Sequence, residues 1–250
     1  MYFDGDLIRV GLDGRSRTTL FSDATDQLYR PATCLLGKYV VVVRHGRPDG
    51  SVANIWRMDA DGTNLKQLSF GAGDVGPTCS LDSPWVYYRD VVNQRIMRVP
   101  MEGGVSEIVP GTGSPGLILG VPGMGVSHDG KYLAYIAMKS GEHGELKIAV
   151  VDLMGASEPR ARVLDADPRV TAETRFTPDD KSVVYIINEN GADNLWLQPL
   201  DGSRGRQITN FTSDSIQTFE FSPDERSIGV LTSHSESDVV LLRDHGASGH

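Results

Sequence analysis

Three observations predict an all-β fold of repeated four-stranded blades, a β-propeller. One short motif returns about every 45 residues, apolar runs of four to seven residues alternate with turn dipeptides such as DG, DD and GG, and no stretch carries the 3.6-residue apolar period of an amphipathic helix.

The recurring motif is a tight turn followed by an apolar strand. It reads SLDSPWVYY at Ser80, SHDGKYLAYI at Ser127, TPDDKSVVYI at Thr177 and SPDERSIGVL at Ser222, with a weaker copy, LLGKYVVVV, at Leu35. Corresponding positions are 45, 47, 50 and 45 residues apart. A second landmark follows the copies at Leu35, Ser80, Ser127 and Thr177: NIWRMDADG at Asn54, QRIMRVPMEGG at Gln94, LKIAVVDLMG at Leu146 and NLWLQPLDG at Asn194. DLIRVGLDG at Asp6 repeats this second half alone, and the last unit reaches only DVVLLRD at Asp238.

Each unit thus reads as strand A, an SPDG-type turn, strand B, a polar loop, strand C, a DG turn and strand D, an antiparallel meander. A sheet of this size cannot cover both its faces alone, whereas radial stacking against its neighbours covers both and leaves only short edges. The units fall at about 32–69, 78–109, 125–164 and 174–209, with a terminal unit at about 218–244 and a partial C–D pair at 4–21, all within one domain spanning 1–250. Direct closure of the N-terminal pair onto the last unit would give five blades with a surplus strand. Six blades are the preferred count, with part of the ring lying outside these residues.

The turns VSHDG at Val126, FTPDD at Phe176 and FSPDE at Phe221, each followed by an aromatic or β-branched strand and the later I/L-W…DG pair, carry a resemblance. The chain resembles the WD40-like propeller repeat of TolB, which also occurs beside prolyl-oligopeptidase-type catalytic domains and C-terminal to some bacterial serine/threonine kinases. The resemblance implies either a noncatalytic binding or sensory module, such as the C-terminal part of a kinase, or the substrate-filtering propeller of a serine peptidase. Ser80–Pro84 and Leu35–Lys38 depart from the turn pattern.

Composition narrows the partners. The 24 Lys and Arg against 33 Asp and Glu give a net charge of −9, without a basic block, which disfavours nucleic acid. Apolar stretches such as YVVVV at Tyr39 are far too short to span a bilayer, and the Met1 region is not a signal peptide, so the domain reads as soluble. A signal upstream of these residues would still leave the compartment open, the periplasmic or extracellular side included.

Several segments imitate catalytic motifs. VVVVRHG at Val40 resembles a phosphohistidine motif, but Arg44 and His45 fall where other copies carry ordinary loop residues, and no helper acid is placed. GTGSPG at Gly111 matches a dinucleotide-binding pattern without a helix to receive the pyrophosphate. Neither a G-x-S-x-G nucleophile elbow nor a kinase motif set is present. The chain is therefore expected to be noncatalytic, with no cofactor and no metal.

The turn aspartates Asp82, Asp129, Asp179 and Asp224 are expected to accept backbone N–H bonds in their hairpins. Cys34 and Cys79 align with Val126, Phe176 and Phe221 near the end of strand A, which predicts two reduced, buried thiols. Trp56, Trp196 and Trp85 recur on strands C and B and are expected in the inter-blade core.

A meander sends its B–C loops and D-to-A connections to one face. These are longer and more varied than the A–B and C–D turns, and loops on a rigid frame can change without loss of packing, so ligand binding is expected there. Candidate residues on that face are His45, Asp74, His143, Asp165, Asp167, Glu173, Glu189, Asp214 and His234. The histidines belong to separated blades and do not predict a zinc site. The acidic residues point to a protein or peptide partner with a weak preference for a basic one.

Overall fold

The computed structural model describes residues 6–11, 13–23, 26–46, 52–113, 117–139, 145–154, 161–222 and 226–234. Among them there are four four-stranded antiparallel sheets, two two-stranded sheets and no helix. Blade 1 comprises β3 (Asp26–Cys34), β4 (Tyr39–Gly46), β5 (Asn54–Asp59) and β6 (Lys66–Gln67). Blade 2 comprises β7 (Asp74–Thr78), β8 (Trp85–Asp90), β9 (Arg95–Pro100) and β10 (Glu107–Ile108). Blade 3 is β11 (Leu117–Val126), β12 (Tyr132–Lys139), β13 (Leu146–Asp152) and β14 (Arg162–Asp165), and blade 4 is β15 (Val170–Phe176), β16 (Ser182–Glu189), β17 (Ala192–Pro199) and β18 (Arg206–Gln207). Within each blade the strands pair in chain order, as a meander requires.

Among the described residues the molecule is a four-bladed propeller, and the expectation of six blades, with five as the alternative, is corrected by the terminal segments. β1 (Leu7–Val10) and β2 (Arg17–Phe21) form one two-stranded sheet, and β19 (Ser215–Phe221) and β20 (Ile228–Ser233) form another. Neither is completed to four strands among the described residues, and 238–244, the expected further strand, lies outside them. Each instead covers an outward blade face. Leu7, Leu20 and Phe21 pack on Leu28, Val42 and Met58 of blade 1, while Ile216 and Phe219 pack on Val184, Ile186 and Leu195 of blade 4.

Burial explains why the B strands read as unbroken apolar runs. In β12, Leu133, Tyr135 and Ala137 join the cluster shared with blades 1 and 2, while Ala134 and Ile136 face blade 4. In β16, Val183, Tyr185 and Ile187 face blade 3, while Val184 and Ile186 face β19 and β20. Successive side chains of a strand point to opposite faces, so a strand buried on both needs apolar residues at every position. The D strands β6, β10 and β18 are two residues long, which leaves little unpaired edge at the rim.

The inner strands begin earlier than the sequence reading placed them, because each contains a β-bulge. Register shifts occur between Tyr29 and Ala32, Val75 and Thr78, Leu119 and Met124, Ala172 and Thr174, and Ile216 and Thr218.

The two cysteines are also corrected. Cys34 and Cys79 form a disulfide with Cα atoms 5.7 Å apart, inside the usual 4.4–6.8 Å span of such bonds. Cys34 is completely buried, as the apolar register requires, and Cys79 partly so. Burial did not keep them apart, because neighbouring inner strands converge toward the axis and bring equivalent positions within bonding reach. The bridge joins blade 1 to blade 2.

Candidate functional site

The bulges shape the axial site. Arg30, Gly76, Gly123 and Glu173 occupy the bulge in successive inner strands, and all have left-handed backbone, with φ of 52°, 63°, 114° and 50°. A bulge leaves one residue out of the ladder and re-aims its side chain, so a repeated bulge turns equivalent residues in concert. Glycine serves this conformation at two positions without Cβ strain. At Gly123 it is also required sterically, since a Cβ there would lie 2.4 Å from the Glu173 Cα.

The two non-glycine bulge residues meet. The Arg30 guanidinium, through Nη1, donates to Glu173 Oε1 at 2.6 Å, linking the inner strands of blades 1 and 4. Glu173 is nearly buried, and its other oxygen accepts from Arg175 at 2.9 Å; Arg175 in turn reaches Glu220 of β19 at 2.9 Å. Burial works against the Arg175 charge, but Glu220 and Glu173 outweigh it and hold its pKa above the ordinary value. A charged chain thus ties blade 1 to blade 4 and blade 4 to the last sheet.

Beside it lies a cavity of about 220 Å³ between the inner strands of blades 1, 2 and 3. Arg30 and Arg89 supply its charge, and Val75, Val91 and Met124 its apolar wall. Burial and the neighbouring Arg30 charge both lower the Arg89 pKa. Val91 follows β8 in the B–C turn, so the cavity adjoins the face on which binding was expected.

The sequence-predicted carboxylates are largely engaged by the protein's own groups. Asp74 is buried and accepts the Gly71 N–H at 2.8 Å and the Asn54 amide at 3.3 Å. Lys147 bridges Glu145 at 2.7 Å and Asp165 at 2.8 Å. Arg169 bridges Asp167 and Glu189, each at 2.8 Å, and lies over the Trp196 ring. Asp214 lies 2.8 Å from the His234 ring. His45 is half-buried near the end of β4, opposite Gln27. His143 and Asp224 lie outside the described residues. Apart from Glu173, the described candidate residues are joined within or between neighbouring loops, and no group of three or more His, Cys, Asp or Glu that could hold a metal occurs among the described residues.

At the opposite face, Asp129 accepts the Lys131 N–H at 3.0 Å and the Ser127 hydroxyl at 2.8 Å. Asp179 accepts the Lys181 N–H at 3.1 Å and the Thr177 hydroxyl at 2.7 Å. At the blade 2 turn Ser80 Oγ accepts the Ser83 N–H at 2.9 Å, and Asp82 is exposed. Asp180 reaches from the blade 4 turn to the His128 and Asp129 N–H groups of blade 3, at 2.8 and 3.1 Å. The tryptophans lie at the margin of the core, partly buried, Trp56 beneath Arg44 and Trp85 beneath Arg98.

Sequence reading missed Arg30, Arg89, Arg175 and Glu220, because their positions carry no motif. One signal did point to the inner-strand irregularity: proline recurs inside strand A in RPATC at Arg30 and GPTCS at Gly76. Proline cannot donate to a ladder and within a sheet is confined to edges and bulges.

No protein-family profile matches the chain, and no curated protein sequence does. Solved structures resemble it in fold. A protein described as a putative TolB from Agrobacterium tumefaciens superposes with a TM-score of 0.69 at 16% identity, over 91% of this chain and 77% of its own. An oligogalacturonate lyase in complex with manganese gives 0.65 at 17% identity, over 93% and 67% of the two chains. A structure from a study of two prolyl endopeptidases gives 0.52 at 16% identity, over 90% of this chain and 35% of that one. The chain is a β-propeller structurally related to TolB-type propeller domains.

Proposed function

We propose that this chain is a noncatalytic binding or sensory propeller that recognises a protein or peptide partner on the face carrying the B–C loops and D-to-A connections, as one domain of a larger bacterial protein such as a serine/threonine kinase. The axial arrangement carries this reading. Arg30, held by Glu173 of blade 4, and Arg89 line an apolar-walled cavity beside that face from different blades, an arrangement of polar anchors in an apolar recess suited to recognition. The TolB-type fold supports it. The Cys34–Cys79 bridge favours a periplasmic or extracellular setting, since disulfides persist where the environment is oxidising.

A second reading, the substrate-filtering propeller of a prolyl-oligopeptidase-type peptidase, draws on the superposition of 90% of the chain on part of a prolyl endopeptidase structure. Domain order in the parent protein separates the two: a kinase domain upstream supports the first, an α/β-hydrolase domain downstream the second. For the binding reading, the purified chain is screened against a peptide library of varied charge, and amide exchange maps any hit. Protection at 91–94, 166–169 and 208–214 is expected. Protection confined to the turns around Asp129 and Asp179 would overturn the face assignment.

A further inference from the structure

We infer that the axial cavity between the inner strands of blades 1, 2 and 3 is a subsite for a carboxylate carried on a short aliphatic chain. This inference rests on the binding reading above and names the ligand chemistry of the same site.

Four features lead to it. First, the charge facing the cavity is cationic: Arg30 and Arg89 line it, whereas the nearby carboxylate Glu173 is engaged by both Arg30 and Arg175. Second, the guanidinium is a planar fork with five N–H donors, matched to a carboxylate, and the contact with Glu173 uses only part of Arg30's set. The Arg30 side chain remains 43% exposed and is reachable. Third, Val75, Val91 and Met124 offer apolar wall, so a ligand gains by bringing hydrocarbon with its charge. At Gly76 a Cβ would meet no atom within 4 Å, so the bulge glycine of blade 2 borders open space. Fourth, the 220 Å³ volume falls below the roughly 300–1,000 Å³ of sites that engulf whole small molecules, which suits the end of a ligand. A polyanion is disfavoured by the net charge of −9, but a single carboxylate is not.

The sign differs from the basic partner that the acidic residues suggested. Asp74, Asp165, Asp167, Glu189 and Asp214 have partners within the fold, which lowers the negative field they offer a ligand.

Two sources could supply the group, a peptide C-terminus ending in an aliphatic residue or a small free acid. The test titrates the full chain with N-acetyl-Gly-Gly-Leu as free acid and as amide, and with 4-methylpentanoate, by calorimetry and ligand-observed NMR. The free-acid peptide is expected to bind at least tenfold more tightly than the amide if a chain terminus is the source. Binding of 4-methylpentanoate with no gain from the peptide assigns a free acid. Arg89→Gln should cut either affinity at least tenfold. Val91→Trp, a substitution at a surface turn that fills the cavity mouth, should do the same with an unchanged melting profile, which guards against misfolding of the arginine variant. Equal binding of acid and amide, binding of no probe, or full binding by Val91→Trp would each overturn the inference. A library peptide bound at the loops without dependence on its carboxylate would overturn it while leaving the binding reading intact.

Discussion

Reduction of the Cys34–Cys79 disulfide measures how strongly blades 1 and 2 depend on a covalent tie. The bonded residues are 45 apart, so the bridge closes a loop holding the remainder of blade 1 and the inner strand of blade 2. Chain-entropy reasoning assigns such a loop about 4 kcal/mol at 25 °C, through constraint of the unfolded ensemble. For a chain of this size 1 kcal/mol moves the melting midpoint by about 2–4 °C, so reduction should lower it by about 8–16 °C. The air-oxidised protein is melted with and without a phosphine reductant, followed by near-ultraviolet circular dichroism. Thiols are counted in denaturant before and after reduction, with none expected before and two after. The same sequence is compared in both states, so no cavity term intrudes. Two thiols reacting in the unreduced, denatured protein would refute the bridge, and a midpoint shift below about 2 °C would refute the entropic account of its contribution.

Two further outcomes follow from the bulges and the turns. Gly76→Ala, where a Cβ has room but φ is +63°, should cost about 1–2 kcal/mol from left-handed strain alone. Gly123→Ala adds a 2.4 Å collision with Glu173 backbone and should cost clearly more, about 2–4 kcal/mol, in urea unfolding; equal costs would contradict the close approach of β11 and β15. At Asp129, burial opposes the charge, but the Lys131 ammonium, the Lys131 N–H and the Ser127 hydroxyl outweigh it and hold the pKa at about 2, against 3.8 ordinarily. A carboxylate depressed in the folded state contributes stability above its unfolded pKa and loses it as pH falls through the folded one. Unfolding free energy should therefore drop between about pH 4 and pH 2, and Asp129→Asn should make that decline shallower. An unchanged slope would count against the turn network.

The strand order within each blade, the meander and the turn aspartates Asp129 and Asp179 were legible in the sequence, because they depend on local chemistry and on periodicity. Apolar runs such as SVVYII are unbroken where both strand faces are covered, and the DG and DD turns punctuate them. The blade count was not legible, since half-units at the two ends are compatible with several closures and only packing decides whether they join, extend or simply cover a blade. The disulfide was equally hidden: the repeat fixes Cys34 and Cys79 at equivalent positions but not the distance between adjacent inner strands. Nor could the sequence pair Arg30 with Glu173, 143 residues apart, because a bulge in each of two strands must first turn both side chains toward the axis. Local order comes from neighbours along the chain, whereas the axial site comes from convergence of strands that meet only once the blades are stacked.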